Sequence, residues 1–422
     1  MFLREKLHEG VFFSNIGGDK FKSCLILVNF ITPLTEKNVC KNAVLPYMLR
    51  SGFKGCPDII EFNKRLVDLY DASIFVDSQR AGDNQVISIG MEFISDEFVF
   101  GEKVAEQATK LLISSIFDPV MDKNNLFDKP LFKKQQDVLR NIVLSKLNNK
   151  RAYVLNKCEE IAFEGTNCAI PPHGTLEGIE ELSAEGVSEN YFEFLEHASV
   201  EILYVGKQTN AEITKESFKI AFGNFKNKDR FEIALKTFNF RRQLKEKTQE
   251  MEVAQAKLAI LFVNSALGST RDERSKLATQ LMVTIYGGSP ISKLFMNVRE
   301  KMSLCYSCSA GIDKIVGSLC ADAGIEENNI TRAKEAILSE LDAMKEGRFS
   351  DQDLINAKQI LRDNLKSISD SPKNLGTWYL DKALDMTHTS PEQQIELLDQ
   401  ISKEDLIRQA KNFELTTIYT LK

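Results

Sequence analysis

The sequence contains itself twice, and this repeat limits the available folds more than any other feature. The apolar run Leu25-Ile26-Leu27-Val28-Asn29-Phe30 leads into a helical stretch, and so does Leu258-Ala259-Ile260-Leu261-Phe262-Val263. Gln136-Asp137-Val138-Leu139-Arg140-Asn141 is echoed by Lys358-Gln359-Ile360-Leu361-Arg362-Asp363, each in a long polar helical stretch. Each half therefore reads as an apolar strand, a helix, alternating strands and a run of helices. Residues 72–78 and 85–92 alternate polar and apolar side chains, as half-buried antiparallel strands do. Residues 102–116 and 331–344 carry apolar side chains three and four apart, the spacing of amphipathic helices. Residues 201–206 read as a strand closing the first half.

A sheet with helices packed on one face satisfies both patterns. The expected fold is therefore α+β, with two homologous domains, each a mainly antiparallel sheet with helices on one face. The expected boundaries are residues 1–225, a charged linker over 226–247, and residues 248–422. The linker contains Arg241-Arg242 and Lys245-Glu246-Lys247, a solvated connector by its charge.

A chain of 422 residues exceeds one ordinary core, in agreement with two domains. Its net charge of -6 leaves no basic excess to neutralise phosphates, so a nucleic-acid partner is not expected. No stretch reaches about 18 consecutive apolar residues, so no membrane span is expected. The first residues are charged where a signal peptide needs an apolar run, and the expected location is the cytoplasm. Eight scattered cysteines fit a reducing compartment. Cys305-Tyr306-Ser307-Cys308 has redox or metal spacing, but it lies in a strand-like run with no second pair and reads as structural.

Two further stretches carry a resemblance. One is Ala43-Val44-Leu45-Pro46-Tyr47-Met48-Leu49, with Gly52 and Pro57 following. The other runs from Gly287-Gly288 through Val298-Arg299-Glu300 to Tyr306. Over nearly its whole length the chain resembles the pitrilysin/insulinase-like metallopeptidases, including the processing-peptidase and respiratory-core relatives. The resemblance implies two similar α+β domains forming half of a clamshell around a chamber. Active members carry His-x-x-Glu-His on a helix, which puts two imidazoles on one face to hold zinc beside a glutamate base. A downstream glutamate completes the ligands.

Laid on this sequence, the first histidine becomes Ala43, the base Pro46, the second histidine Tyr47 and the distant ligand Asn141. A supporting acidic position becomes Lys134. Neither a methyl group nor a pyrrolidine ring is a donor, and a neutral phenol is a poor zinc ligand at pH 7. No metal and no other cofactor is expected. Pro46 further predicts a helix that starts late or bends there. The histidines, His8, His173, His197 and His388, include no helical pair four residues apart.

In active relatives the Arg/Tyr pair, here Arg299 and Tyr306, holds the substrate backbone and stabilises the tetrahedral intermediate. Guanidinium and phenol donors suit a peptide carbonyl. A salt bridge and a core tyrosine are the structural alternatives. Gly287 and Gly288 form a turn or let a peptide backbone approach. The resemblance implies a non-catalytic subunit whose partner is a zinc-bearing paralogue, or a second copy of itself, around a bound peptide. It also implies a link with modification of elongation factor P, found for bacterial members lacking the motif. The competing readings are a zinc endopeptidase with a displaced site and a pure scaffold or binding protein.

Overall fold

A computed structural model describes residues 2–422, apart from 224, 226–228, 235, 237 and 239–242. Arg241-Arg242 of the expected linker lie outside the described residues. Two compact units are present. The first comprises Met1–Leu144, Ile170–Ala234 and Ser369–Leu384; the second comprises Ser145–Ala169, Leu235–Ile368 and Asp385–Lys422.

The first unit is built on strands β1 (Phe2–His8), β2 (Val11–Gly17), β3 (Ser23–Pro33), β4 (Ser73–Ala81), β5 (Asn84–Ile94) and β6 (Ser199–Gly206). Their order across the sheet is β1-β2-β6-β3-β5-β4, antiparallel except for the β2–β6 pair. Strand β3 lies between β5 and β6, which is why its sequence is almost unbroken in apolar residues. Ile26, Val28 and Phe30 face the large core shared with Ile87, Ile89, Val200 and Ile202. The alternate residues face the other way. There Leu25 and Val205 lie against Gly376 of the helix Pro372–Leu384, where an added Cβ would come within 2.9 Å of Leu25 Cδ2. The first sheet is thus completed by a helix encoded far into the second half of the sequence.

The second unit repeats this plan with β7 (Lys245–Gln249), β8 (Ala256–Val263), β9 (Cys305–Asp313), β10 (Ser318–Ile325) and β11 (Glu414–Leu421). Their order is β7-β11-β8-β10-β9, with only the β7–β11 pair parallel. The last residues of the expected linker, Lys245-Glu246-Lys247, begin edge strand β7. Leu258, Ile260 and Phe262 of β8 enter the helix-covered core. Ala259, Leu261 and Val263 face a second cluster with Val154 and Cys158 of the helix Lys150–Ala162. Here too the second face is covered by a helix from the opposite half of the sequence. The echoed leucines, Leu139 and Leu361, are both buried on long helices, Lys129–Asn148 and Asp351–Ile368. Among the described residues no helix is long and apolar enough to cross a membrane.

Among the ion pairs of the second unit, one is buried on both sides. Lys276 on the helix Glu273–Tyr286 reaches Asp385 at 2.9 Å, with side-chain exposures of 3% and 10%. Desolvating two charges costs several kcal/mol per ion, so the pair is tolerated only while both members are present. Asp385→Ala leaves a buried ammonium and should destabilise the protein by about 3–5 kcal/mol, measured by urea unfolding. Lys276→Met with Asp385→Leu should recover most of that loss.

Candidate functional site

The helix Val39–Leu49 carries the positions where the resemblance places zinc ligands. It does not start late: Pro46 lies inside it, seven residues beyond its first residue. A proline at that depth leaves the Asn42 carbonyl without its usual helical donor. The helix is held in place through the side chain of Asn42. Asn42 Nδ2 donates to Thr32 Oγ1 at 3.2 Å and to Gln85 Oε1 at 3.1 Å. Asn190 Nδ2 donates to Asn42 Oδ1 at 2.8 Å. Gln85 Nε2 in turn donates to the carbonyls of Val39, at 3.0 Å, and Pro172, at 2.8 Å. Asn42, Gln85 and Asn190 are all buried, so the network ties the helix to β3, β5, the helix Ala184–His197 and the loop at Pro172. The sequence does carry a signal for it, a lone asparagine in an otherwise apolar helix.

Within this frame Ala43 is fully buried and presents a methyl group. Pro46 is buried, and Tyr47 is half-buried. Burial pushes the Tyr47 phenol above its ordinary range; Asp77 adds to the shift and Arg50 opposes it. The phenol is therefore held neutral, the wrong state for a zinc ligand. Asn141 and Lys134 are both on the exposed side of the helix Lys129–Asn148. Among the described residues no three His, Cys, Asp or Glu side chains gather as a metal site. The donor set does not fit zinc, and no hydrolytic step follows from it.

Gly287, Gly288, Arg299 and Tyr306 all belong to the second unit. Gly287 ends the helix Glu273–Tyr286, and its carbonyl accepts from Ala310 N of β9 at 2.9 Å. A Cβ there would sit 2.6 Å from Ala310 Cβ, so the glycine allows the turn to press against the strand. Gly288 is exposed beside it, its N–H donating to Val283 O at 2.8 Å.

Arg299 lies on Leu294–Lys301, which is wound as a π-helix, a form common at functional sites. Its guanidinium stacks over the Phe295 ring at 4.5 Å and approaches Glu300 at 3.5 Å. Its side chain is 38% exposed. Tyr306 is 53% exposed and donates its phenol proton to Glu326 Oε1 at 2.6 Å. That bond raises the phenol above its ordinary range, with the Glu326 charge contributing. Tyr306 stands out for a local reason. In the β9–β10 register Ser307 faces Gly324 and Cys305 faces Ile325, so Tyr306 is the extra residue of a β-bulge. Neither the bulge nor Glu326 was legible in the sequence, because both depend on the register of a partner strand.

The family profile described as "Peptidase M16 inactive domain" matches residues 176–361. The chain is 26% identical over 418 residues to the "Probable inactive metalloprotease YmfF" of Bacillus subtilis, covering 98% of this chain and 96% of that one. Its fold matches a conserved protein from Enterococcus faecalis V583 with a TM-score of 0.90 and 25% identity, over 100% of this chain and 98% of that one. It also matches a peptidase M16 inactive domain from Pseudomonas fluorescens, with a TM-score of 0.78 and 14% identity, over 100% of this chain and 98% of that one. The chain is therefore similar to members of the M16, pitrilysin/insulinase-like, metallopeptidase family that are described as inactive.

After desalting, the purified chain should carry zinc at well below one equivalent by inductively coupled plasma mass spectrometry. Tyr47→His alone should leave that value unchanged, because one imidazole beside a methyl group and a proline cannot close a zinc site. Stoichiometric zinc in the unmodified chain would contradict the donor set described above.

Proposed function

We propose that this chain is the non-catalytic subunit of a peptidase pair, lending peptide-binding surface to a zinc-bearing member of the same family. The observation that carries this reading is an asymmetry. The helix Val39–Leu49 offers a methyl group, a pyrrolidine ring and a neutral phenol where donors would stand. Arg299 and Tyr306, which hold peptide in active relatives, keep their spacing and remain open to solvent. In this reading the partner supplies the metal and its activated water. Arg299 grips a peptide carbonyl and Tyr306 donates to the charge that develops on it. The two subunits enclose the peptide in a shared chamber in the cytoplasm.

The test is to co-express the chain with a family member that retains His-x-x-Glu-His, and to assay peptide cleavage. The expected result is a complex that cleaves, while this chain alone does not. Arg299→Ala in this chain should lower kcat/KM of the complex by about ten- to a hundredfold, as expected for losing a transition-state donor. Equal cleavage with Arg299→Ala would end the role assigned to it in trans. A complex of two copies of this chain, with no affinity for the zinc-bearing relative, would replace the heterodimer with a homodimer.

The process served is proposed to be modification of elongation factor P, on the strength of the resemblance to bacterial members lacking the motif. Elongation factor P from cells without this chain should show a changed intact mass. An unchanged mass removes that assignment and leaves the subunit role standing.

A further inference from the structure

The bulge that exposes Tyr306 has a second effect. Residues three apart on an unbroken strand face opposite sides of a sheet and span about 10 Å. Cys305 and Cys308 are three apart, yet both enter the same helix-covered core, because Tyr306 is inserted between the paired positions. Their burial follows suit: Cys305 and Cys308 are buried while Tyr306 and Ser307 between them are exposed. Their partners on β10, Ile325 and Ala323, are only two residues apart, so the two thiols are neighbours on one face of the sheet. Arg299 adds a positive charge on the Cys305 side.

This proximity separates the pair chemically. The neighbouring Cys308, aided by Arg299 against the cost of burial, holds the Cys305 thiol below its ordinary range. The proximity of Cys305, reinforced by burial, pushes the Cys308 thiol up. A low thiol next to a proton-bearing one is the arrangement of an attacking and a resolving cysteine. The remaining cysteines near a partner lack this asymmetry. Cys320 contacts Cys158, but Cys158 is fully buried and the Cys320 thiol is pushed up by the contact and by burial.

We propose that Cys305 and Cys308 form a reversible disulfide on exposure to a hydroperoxide, and that its closure moves Tyr306 and so resets the peptide-binding surface. In the first step the Cys305 thiolate attacks the peroxide, an S–O bond forms and the O–O bond breaks. Cys305 becomes a sulfenic acid, and the departing oxygen takes up a proton and leaves as water or an alcohol. In the second step the Cys308 sulfur attacks the sulfenic sulfur. The S–S bond forms, the S–O bond breaks, and the hydroxide leaves as water with the Cys308 proton. The two thiols give up two electrons and one peroxide is reduced. A dithiol reverses the change by exchange.

The coupling to Tyr306 follows from geometry. A disulfide holds its two Cα atoms about 4.4–6.8 Å apart. An S–S bond is shorter than any non-bonded approach of two sulfurs, so closure pulls on the bulge, where Tyr306 is the inserted residue. The bond from Tyr306 to Glu326 depends on that placement. The covalent site stands without the peptide-binding reading; only its consequence for peptides rests on that reading.

The experiment treats the reduced full-length chain with hydrogen peroxide, blocks remaining thiols and maps them by peptide mass spectrometry. The expected result is loss of two hydrogens from the peptide carrying Cys305 and Cys308, reversed by dithiothreitol, with Cys158 and Cys320 still alkylated. Cys308→Ser should stop at a sulfenic acid on Cys305, trapped by dimedone, and Cys305→Ser should yield neither product. Exposed Met296 and Met302 report that peroxide reached this surface. If those methionines oxidise while Cys305 and Cys308 both remain alkylatable, the site is disproved. If the disulfide forms but the Tyr306 phenolate titration is the same before and after, the coupling to Tyr306 is disproved. If both occur as expected and peptide cleavage by the complex is unaltered, the peptide reading falls while the redox site stands.

Discussion

The amide side chain of Asn42 holds the part of the molecule on which the functional reading depends. A helix interrupted internally by a proline costs about 3 kcal/mol or more and lacks a backbone donor there. Here that helix is fixed from outside, by Thr32, Gln85 and Asn190. An enzyme of this kind could orient the same helix through its metal and the residues around it. This chain does so with neutral amide side chains hydrogen-bonded to one another, and such bonds are stronger inside the protein than at its surface. Loss of the metal set and retention of the fold are therefore compatible, because the frame does not rest on a cation.

Much of the architecture was legible because it is written in periodicity. The near-continuous apolar runs in β3 and β8 mark strands buried on both faces, and the alternation in β4 and β5 marks their neighbours. The absence of zinc donors was legible for a simpler reason: a methyl group and a pyrrolidine ring have none wherever they are placed. Pro46 allowed either a later helix start or a bend, and of these the later start is excluded, because the helix begins at Val39. Glu326 as the partner of Tyr306 was out of reach, being fixed by strand register and not by spacing.

Arg299 and Tyr306 are each held in place by a local contact. Stacking on Phe295 limits the swing of the guanidinium, and Glu326 keeps the phenol protonated. In the proposed complex both groups would be preorganised donors, which is what gives such donors their value toward a carbonyl whose charge is rising. The bulge in β9 serves this arrangement twice, by lifting Tyr306 outward and by drawing two thiols together beneath it.

The helices Lys150–Ala162 and Pro372–Leu384 each cover a sheet belonging mainly to the other half of the chain. Two self-sufficient lobes would each carry all of their own helices; here each lobe takes one from the other half of the sequence. Severing it at the repeat boundary would uncover Leu25 and Val205 on one fragment, and Ala259 and Leu261 on the other. Such fragments would be sticky and prone to seek each other out, so nascent chains emerging from the ribosome cannot finish their first lobe until nearly all of the message has been read.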